Sequence, residues 1–176
     1  MSMSAASLNL VLIGMPGCGK SSVGQCVSRQ LGMPLVDTDA MVEARAGCTI
    51  SALFAERGEA AFRDMESACA DEAAALRGVV IATGGGMILR PGNMEALARN
   101  GLIIFLDRHP EDILREACLA DRPLVADDSA PRIWKLYHER LPLYRRHAGH
   151  DVSNAGPISQ VAQTVAALYT EHQRKR

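Results

Sequence analysis

Short, almost wholly apolar runs alternate along the chain with longer stretches of helical periodicity. Leu8 to Ile13 is a compact apolar run that ends in Gly14-Met15-Pro16-Gly17-Cys18-Gly19. From Lys20 the apolar positions Val23, Cys26, Val27 and Leu31 keep helical spacing, with Gly32 as the stop. Pro34 to Val36 reads as a second strand, followed by Asp37-Thr38-Asp39. Helices are predicted over Asp39–Ala46, Thr49–Arg57 and Glu59–Arg77. Val79 to Ala82 is a third strand leading into Thr83-Gly84-Gly85-Gly86, and a short helix over Asn93–Arg99 precedes the strand Leu102–Leu106. Further helices are predicted from Pro110 to about Leu119 and from Pro131 to about His147, with a brief strand at Asp151–Ser153. In the last helix Pro157 suits the first turn, and Ile158, Val161, Val165 and Leu168 form its buried stripe.

Strands that are nearly all apolar and alternate with helices indicate a parallel sheet covered on both faces. The expectation is an α/β single domain in three layers, with about five strands flanked by helices. Ligands of such folds sit at the carboxyl ends of the strands. The glycine loop, the Asp37/Asp39 pair and the Gly84–Gly86 run each follow a strand, so all three fall on one edge of the sheet.

Length and composition narrow the class. A chain of 176 residues fits one core. Apolar runs such as Leu102–Leu106 are far short of the ~18–20 residues that cross a bilayer. Met1 to Ser7 holds no basic residue and no long apolar stretch, unlike a secretion signal. A cytoplasmic monomer with no membrane partner is expected. A formal net charge of −1 lacks the basic excess of a general nucleic-acid binder. Five dispersed cysteines without CxxC spacing read as reduced thiols, and the histidines form no ligand pair of HExxH type.

One motif carries chemistry by itself. Gly14-Met15-Pro16-Gly17-Cys18-Gly19-Lys20-Ser21 satisfies GxxxxGK[ST] between a strand and a helix. Its glycines permit a tight turn whose N–H groups point at phosphate oxygens, and the helix N-terminus adds roughly half a positive charge. Lys20 is placed to reach the β- and γ-phosphates, and the Ser21 hydroxyl to ligate Mg²⁺. The chain therefore reads as a binder of a nucleoside triphosphate. Neither the DxxG nor the NKxD of a signalling GTPase occurs, and a motor ATPase needs more chain, so a small-molecule kinase fits best.

Other residues are ambiguous singly. Asp37 and Asp39 face the same side if their stretch stays extended, one beside Mg²⁺ and one on a substrate hydroxyl; alternatively they open a helix. Arg63 and Glu66 at i,i+3 make an ordinary surface pair worth about 0.2–0.5 kcal/mol, or an arginine held to grip a carboxylate bidentately. Gly84-Gly85-Gly86 is either a flexible turn or a place where a ligand lies against bare backbone.

Together the pieces GMPGCGKSS (14–22), DTD (37–39), GEAAFRDME (58–66), ATGGG (82–86), RPL (122–124) and RLPLYRR (140–146) resemble the shikimate kinase family, in its order and over nearly the whole chain. The resemblance implies the P-loop kinase fold with a mobile lid over about 110–125 and an acceptor segment over about 37–66. It implies transfer of the ATP γ-phosphoryl to the 3-hydroxyl of shikimate in aromatic amino-acid biosynthesis. ATP contacts are implied for Gly17, Cys18, Gly19, Lys20, Ser21, Ser22, Arg115, Arg122 and Pro157, with Arg115 and Pro157 bordering adenine and Arg122 closing over the phosphates. Asp39 matches the hydroxyl-binding aspartate and candidate base, and Asp37 and Ser21 the Mg²⁺ side. Arg63 and Arg140 match the carboxylate grip, and Gly84, Gly85 and Gly86 the backbone bordering shikimate; Lys20, Asp39 and Arg122 form the implied catalytic set.

Two places depart from the family pattern. Cys18 and Ser22 replace the commoner Ser and Thr, and Cys18 reads either as a thiolate stabilised by Lys20 and the loop dipoles or as a buried, inert thiol. The 115–122 segment lacks the usual glycines, so it is expected to be more helical. Competing readings are a kinase of gluconate, a nucleoside monophosphate or adenylyl sulfate, and a nucleotide-binding regulatory domain without chemistry.

Overall fold

The computed structural model describes residues 7–119 and 129–176. Its elements run β1 (Asn9–Ile13), α1 (Lys20–Leu31), β2 (Leu35–Asp37), α2 (Thr38–Ala46), α3 (Ile50–Ala75), β3 (Val80–Ala82), α4 (Pro91–Ala98) and β4 (Gly101–Asp107). They continue with α5 (Pro110–Leu119), α6 (Ser129–His147), β5 (His150–Ser153) and α7 (Ile158–Arg174). The strands form one parallel sheet in the order β2-β3-β1-β4-β5. Leu10 pairs with Val80 on one side and Leu102 on the other, so β1 is central. Leu10–Ile13, Val80, Ile81 and Ile104–Leu106 are wholly buried, as expected of strands covered on both faces. The chain leaves β1 toward one edge and returns across it to β4, so the carboxyl end of β1 is where the strand order reverses. That is where open α/β sheets hold ligands.

Three local details differ from the sequence expectation. β2 ends on Asp37 rather than Val36, and Asp37 also caps α2, accepting from the N–H groups of Asp39 (3.0 Å) and Ala40 (3.3 Å). Asp39 is therefore in the first turn of a helix, and the extended geometry that would align the two aspartates does not hold. The predicted stripe of α7 holds at Val161, Val165 and the partly buried Leu168, but Ile158 is 47% exposed, and Ala162, Ala166 and Tyr169 complete the buried face. Ile158 begins the helix, ahead of the turn that packs on the α1 side of the sheet. A short 3-10 turn over Met87–Leu89, unforeseen in the sequence, follows the triple glycine.

The break foreseen at Gly58 is real. α3 runs through it, but Gly58 has φ 79°, ψ 174°, outside the helical region. The second half of the helix, which carries Arg63 and Glu66, thereby takes its own direction and packs on α4. α5 extends to Leu119, in keeping with the glycine-poor sequence there.

Candidate active site

Five segments meet at the carboxyl edge of the sheet. The loop after β1 wraps the Lys20 ammonium, which is 8% exposed and donates to the carbonyls of Gly14 (2.9 Å) and Met15 (2.8 Å). A buried ammonium must be satisfied, and here its own loop supplies the acceptors. Cys18 is wholly buried, with its Sγ 3.8 Å from Lys20 Nζ, so burial and a neighbouring ammonium are both present. One residue into α1, the Ser21 hydroxyl donates to Asp37 Oδ2 at 2.6 Å. A hydroxyl and a carboxylate in contact beside the phosphate loop are hard oxygen donors of the kind Mg²⁺ takes.

Asp39 sits deeper. Burial raises its pKa above the ordinary 3.8, the Asp37 carboxylate adds to the rise, and the Lys20 ammonium opposes it. Its place is set by the triple glycine. A Cβ on Gly84 would stand 2.5 Å from Asp39 Oδ1 and 3.1 Å from Glu66 Oε1. One on Gly85 would stand 2.6 Å from the Pro16 ring, and one on Gly86 would land on the Arg63 guanidinium. Glycine is thus required because side chains from three other segments press against this backbone. Gly84 N–H also donates to the buried Thr38 hydroxyl at 3.0 Å.

Arg63 is no surface residue. It is 13% exposed and donates to Glu66 Oε2 at 2.6 Å, while Glu66 is 1% exposed. A second, longer pair joins it to Glu59 at 3.4 Å, and the guanidinium carbon lies 4.9 Å from the Phe62 ring centre. Glu66 Oε1 is buried and has no partner among the described residues. From the other side, Arg140 donates to the Gly85 carbonyl at 3.2 Å. Tyr144, one helical turn further along α6, donates to the same carbonyl at 2.6 Å. Its ring is buried and stacks on Phe105 at 5.0 Å. Burial pushes the phenol pKa well up, so it is a neutral donor.

The family model for shikimate kinase matches residues 16–170. The chain belongs to the shikimate kinase family. It is 42% identical over 157 residues to a shikimate kinase of Clostridium botulinum (strain Alaska E43 / Type E3), covering 89% of this chain and 94% of the relative. It is 43% identical over 165 residues to a shikimate kinase of Caldanaerobacter subterraneus subsp. tengcongensis, covering 92% and 95%. The solved shikimate kinase from Acinetobacter baumannii in complex with shikimate superposes with a TM-score of 0.87 at 31% identity, covering 94% of both chains. As a shikimate kinase the chain transfers the ATP γ-phosphoryl group to shikimate, giving shikimate 3-phosphate and ADP in aromatic biosynthesis. The neighbouring solved shikimate kinases also make its sheet that of the P-loop kinases.

Among the residues singled out in the sequence, the structure brings Lys20, Ser21, Asp37, Asp39, Arg63, Gly84–Gly86 and Arg140 together at one edge of the sheet. Gly17, Cys18, Gly19 and Ser22 lie in its phosphate loop or the first turn of α1. Arg115 lies on α5, 70% exposed and paired with Asp112 at 3.1 Å, and among the described residues no hydrogen bond or ion pair draws it into the site. Pro157 is exposed at the N-terminus of α7. Arg122 lies outside the described residues, as does the part of the expected lid from 120 onward.

Thr38, Tyr144 and Pro16 were not foreseen as site residues. Tyr144 had one available signal, since four residues from Arg140 place it on the same face of α6. Tyr144→Phe removes one donor from the Gly85 carbonyl and leaves its ring in place. It is expected to raise KM for shikimate about three- to tenfold with little change in KM for ATP, the loss expected of one hydrogen bond. Steady-state kinetics at varied shikimate check this.

Proposed function

We propose that Arg63 and Arg140 hold the shikimate carboxylate and Asp39 the 3-hydroxyl, while Lys20, Ser21 and Asp37 hold Mg-ATP. The observation that carries this reading is the Gly84–Gly86 run. Its bare backbone is pressed at once by Asp39, by Arg63 and by Pro16 of the phosphate loop, which supports a single site for donor and acceptor groups. Shikimate has one carboxylate and three hydroxyls, and the site offers cationic forks and carboxylates rather than an apolar box. Mg²⁺ supplies neutralisation of the β- and γ-phosphate charge when bound. Arg122, on the strength of the RPL motif, adds a further cation over the phosphates, and Arg115 and Pro157 border the base. The donor loop spans residues 7–22 and the acceptor segment about 37–66 of one domain. The same reading makes the enzyme a cytoplasmic monomer acting on small molecules.

The loose transition state of phosphoryl transfer leaves little for a base to do, so Asp39 acts chiefly by orienting the hydroxyl. Asp39→Asn keeps an acceptor oxygen and is expected to lose about tenfold in kcat, and Asp39→Ala about tenfold more. Equal losses would make Asp39 a true base. Its pKa, raised chiefly by burial, shifts the acid limb of kcat/KM to higher pH than an ordinary aspartate would give, because the group must be ionised to accept the hydroxyl proton strongly. By linkage the same proton favours the folded state at acid pH, and that contribution fades as pH rises through the folded value. Asp39→Asn should therefore move the limb to lower pH. The reading as a whole is tested by ADP release with Mg-ATP and shikimate, quinate, gluconate or a nucleoside monophosphate. Turnover with shikimate alone is expected, and turnover with another acceptor alone would overturn the acceptor half.

A further inference from the structure

The loop between β5 and α7 reaches back to the outer face of the phosphate loop. Asn154, 4% exposed, donates from Nδ2 to the Cys18 carbonyl. Its own backbone N–H donates to the Asp107 carbonyl at the end of β4, at 2.7 Å. The same Nδ2 lies 3.2 Å from where a Cβ on Gly19 would stand. The residue is thus held by its backbone against the sheet and by its side chain against the loop.

A peptide unit is planar and trans, so the carbonyl of one residue and the N–H of the next point opposite ways. Holding the Cys18 carbonyl outward aims the Gly19 N–H inward, toward the face that receives phosphate. Gly19 takes the left-handed conformation this needs, φ 92° and ψ 19°, without a Cβ penalty. If the peptide turned over, a carbonyl oxygen would face the phosphates and repel them.

We infer that Asn154 is a positioning residue of the phosphate loop, locking the 18–19 peptide so that Gly19 N–H is a phosphate donor. This rests on the reading of that loop as the ATP site. Because Asn154 lies three residues before Pro157, the segment at the base-binding end also sets the phosphate cradle.

The test uses the full chain and two probes, ADP and adenosine, which differ in carrying phosphate. Asn154→Ala is expected to weaken ADP about tenfold or more by titration calorimetry and to leave adenosine within about twofold. Asn154→Asp, which sets a carboxylate oxygen against the Cys18 carbonyl, is expected to weaken ADP further. In the native chain the Gly19 amide proton should shift downfield with ADP but not with adenosine, a measurement that stands even if a variant does not fold. Unchanged ADP affinity in a folded Asn154→Ala protein overturns the inference. So does an equal loss for ADP and adenosine, or a native Gly19 amide indifferent to ADP. A native chain that bound no ADP would instead remove the ATP-site reading on which it stands.

Discussion

Arg63→Ala is expected to lower kcat/KM for shikimate by about 30- to 1000-fold, the loss of a charge-assisted bidentate grip at about 2–4 kcal/mol. KM for ATP should stay within a few-fold, because Arg63 lies against Gly86 and not against the phosphate loop. Arg63→Lys should recover little, since a point charge cannot reproduce a planar fork against a carboxylate. A loss in kcat/KM below about threefold would place the carboxylate elsewhere.

The variant has a second consequence that must be separated from the first. Glu66 is 1% exposed, and Arg63 is its hydrogen-bonded partner. Removing one partner of a buried pair leaves an uncompensated charge, at a cost of about 3–5 kcal/mol of stability. The double variant Arg63→Ala/Glu66→Gln should therefore melt closer to the native temperature while remaining as inactive as the single one. Recovery of activity together with stability would mean that the arginine serves the fold and not the substrate.

What the sequence made legible follows the reach of each interaction. The phosphate loop is built from consecutive residues, so the offset of Lys20 and Ser21 from Gly14 is already its geometry. The parallel sheet was equally open, because Leu10–Ile13 and Leu102–Leu106 are apolar on both faces and only a covered sheet accepts that. The break at Gly58 could also be read, since it separates two helical periodicities.

Interactions across the chain were not legible in the same way. Asp37 and Asp39 were open to two readings because one residue of strand length decides between them; β2 extends to Asp37, which then caps α2 instead of lying parallel to Asp39. The triple glycine was open to a flexible turn or a bed for a ligand, and the groups that forbid a Cβ there, from positions 16, 39 and 63, could not be read from its neighbours in sequence. Arg63–Glu66 had the spacing of a surface pair, and only the packing of α3 on α4 buries it. Arg115 carries no structural mark of a site residue and rests on the family resemblance.

Lys20→Met is expected to lower kcat about 10²- to 10³-fold, with shikimate affinity little changed. The transferring phosphoryl group spreads negative charge over its oxygens, and a cation fixed beside it is stronger there than in water. In the described structure the ammonium rests on the Gly14 and Met15 carbonyls, 2.9 and 2.8 Å away, a ladder of acceptors that nucleotide phosphate must replace. Methionine keeps the stem and volume but leaves the Gly14 carbonyl without that donor, whereas the Met15 carbonyl still accepts from Cys18 N–H at 3.2 Å. One orphaned buried acceptor costs about 1–3 kcal/mol, so a modest fall in melting temperature should accompany the kinetic loss. Single-turnover phosphoryl transfer separates the two effects, because saturating both substrates cancels any change in binding. A kcat within tenfold of native under those conditions would assign the transition-state charge to another cation.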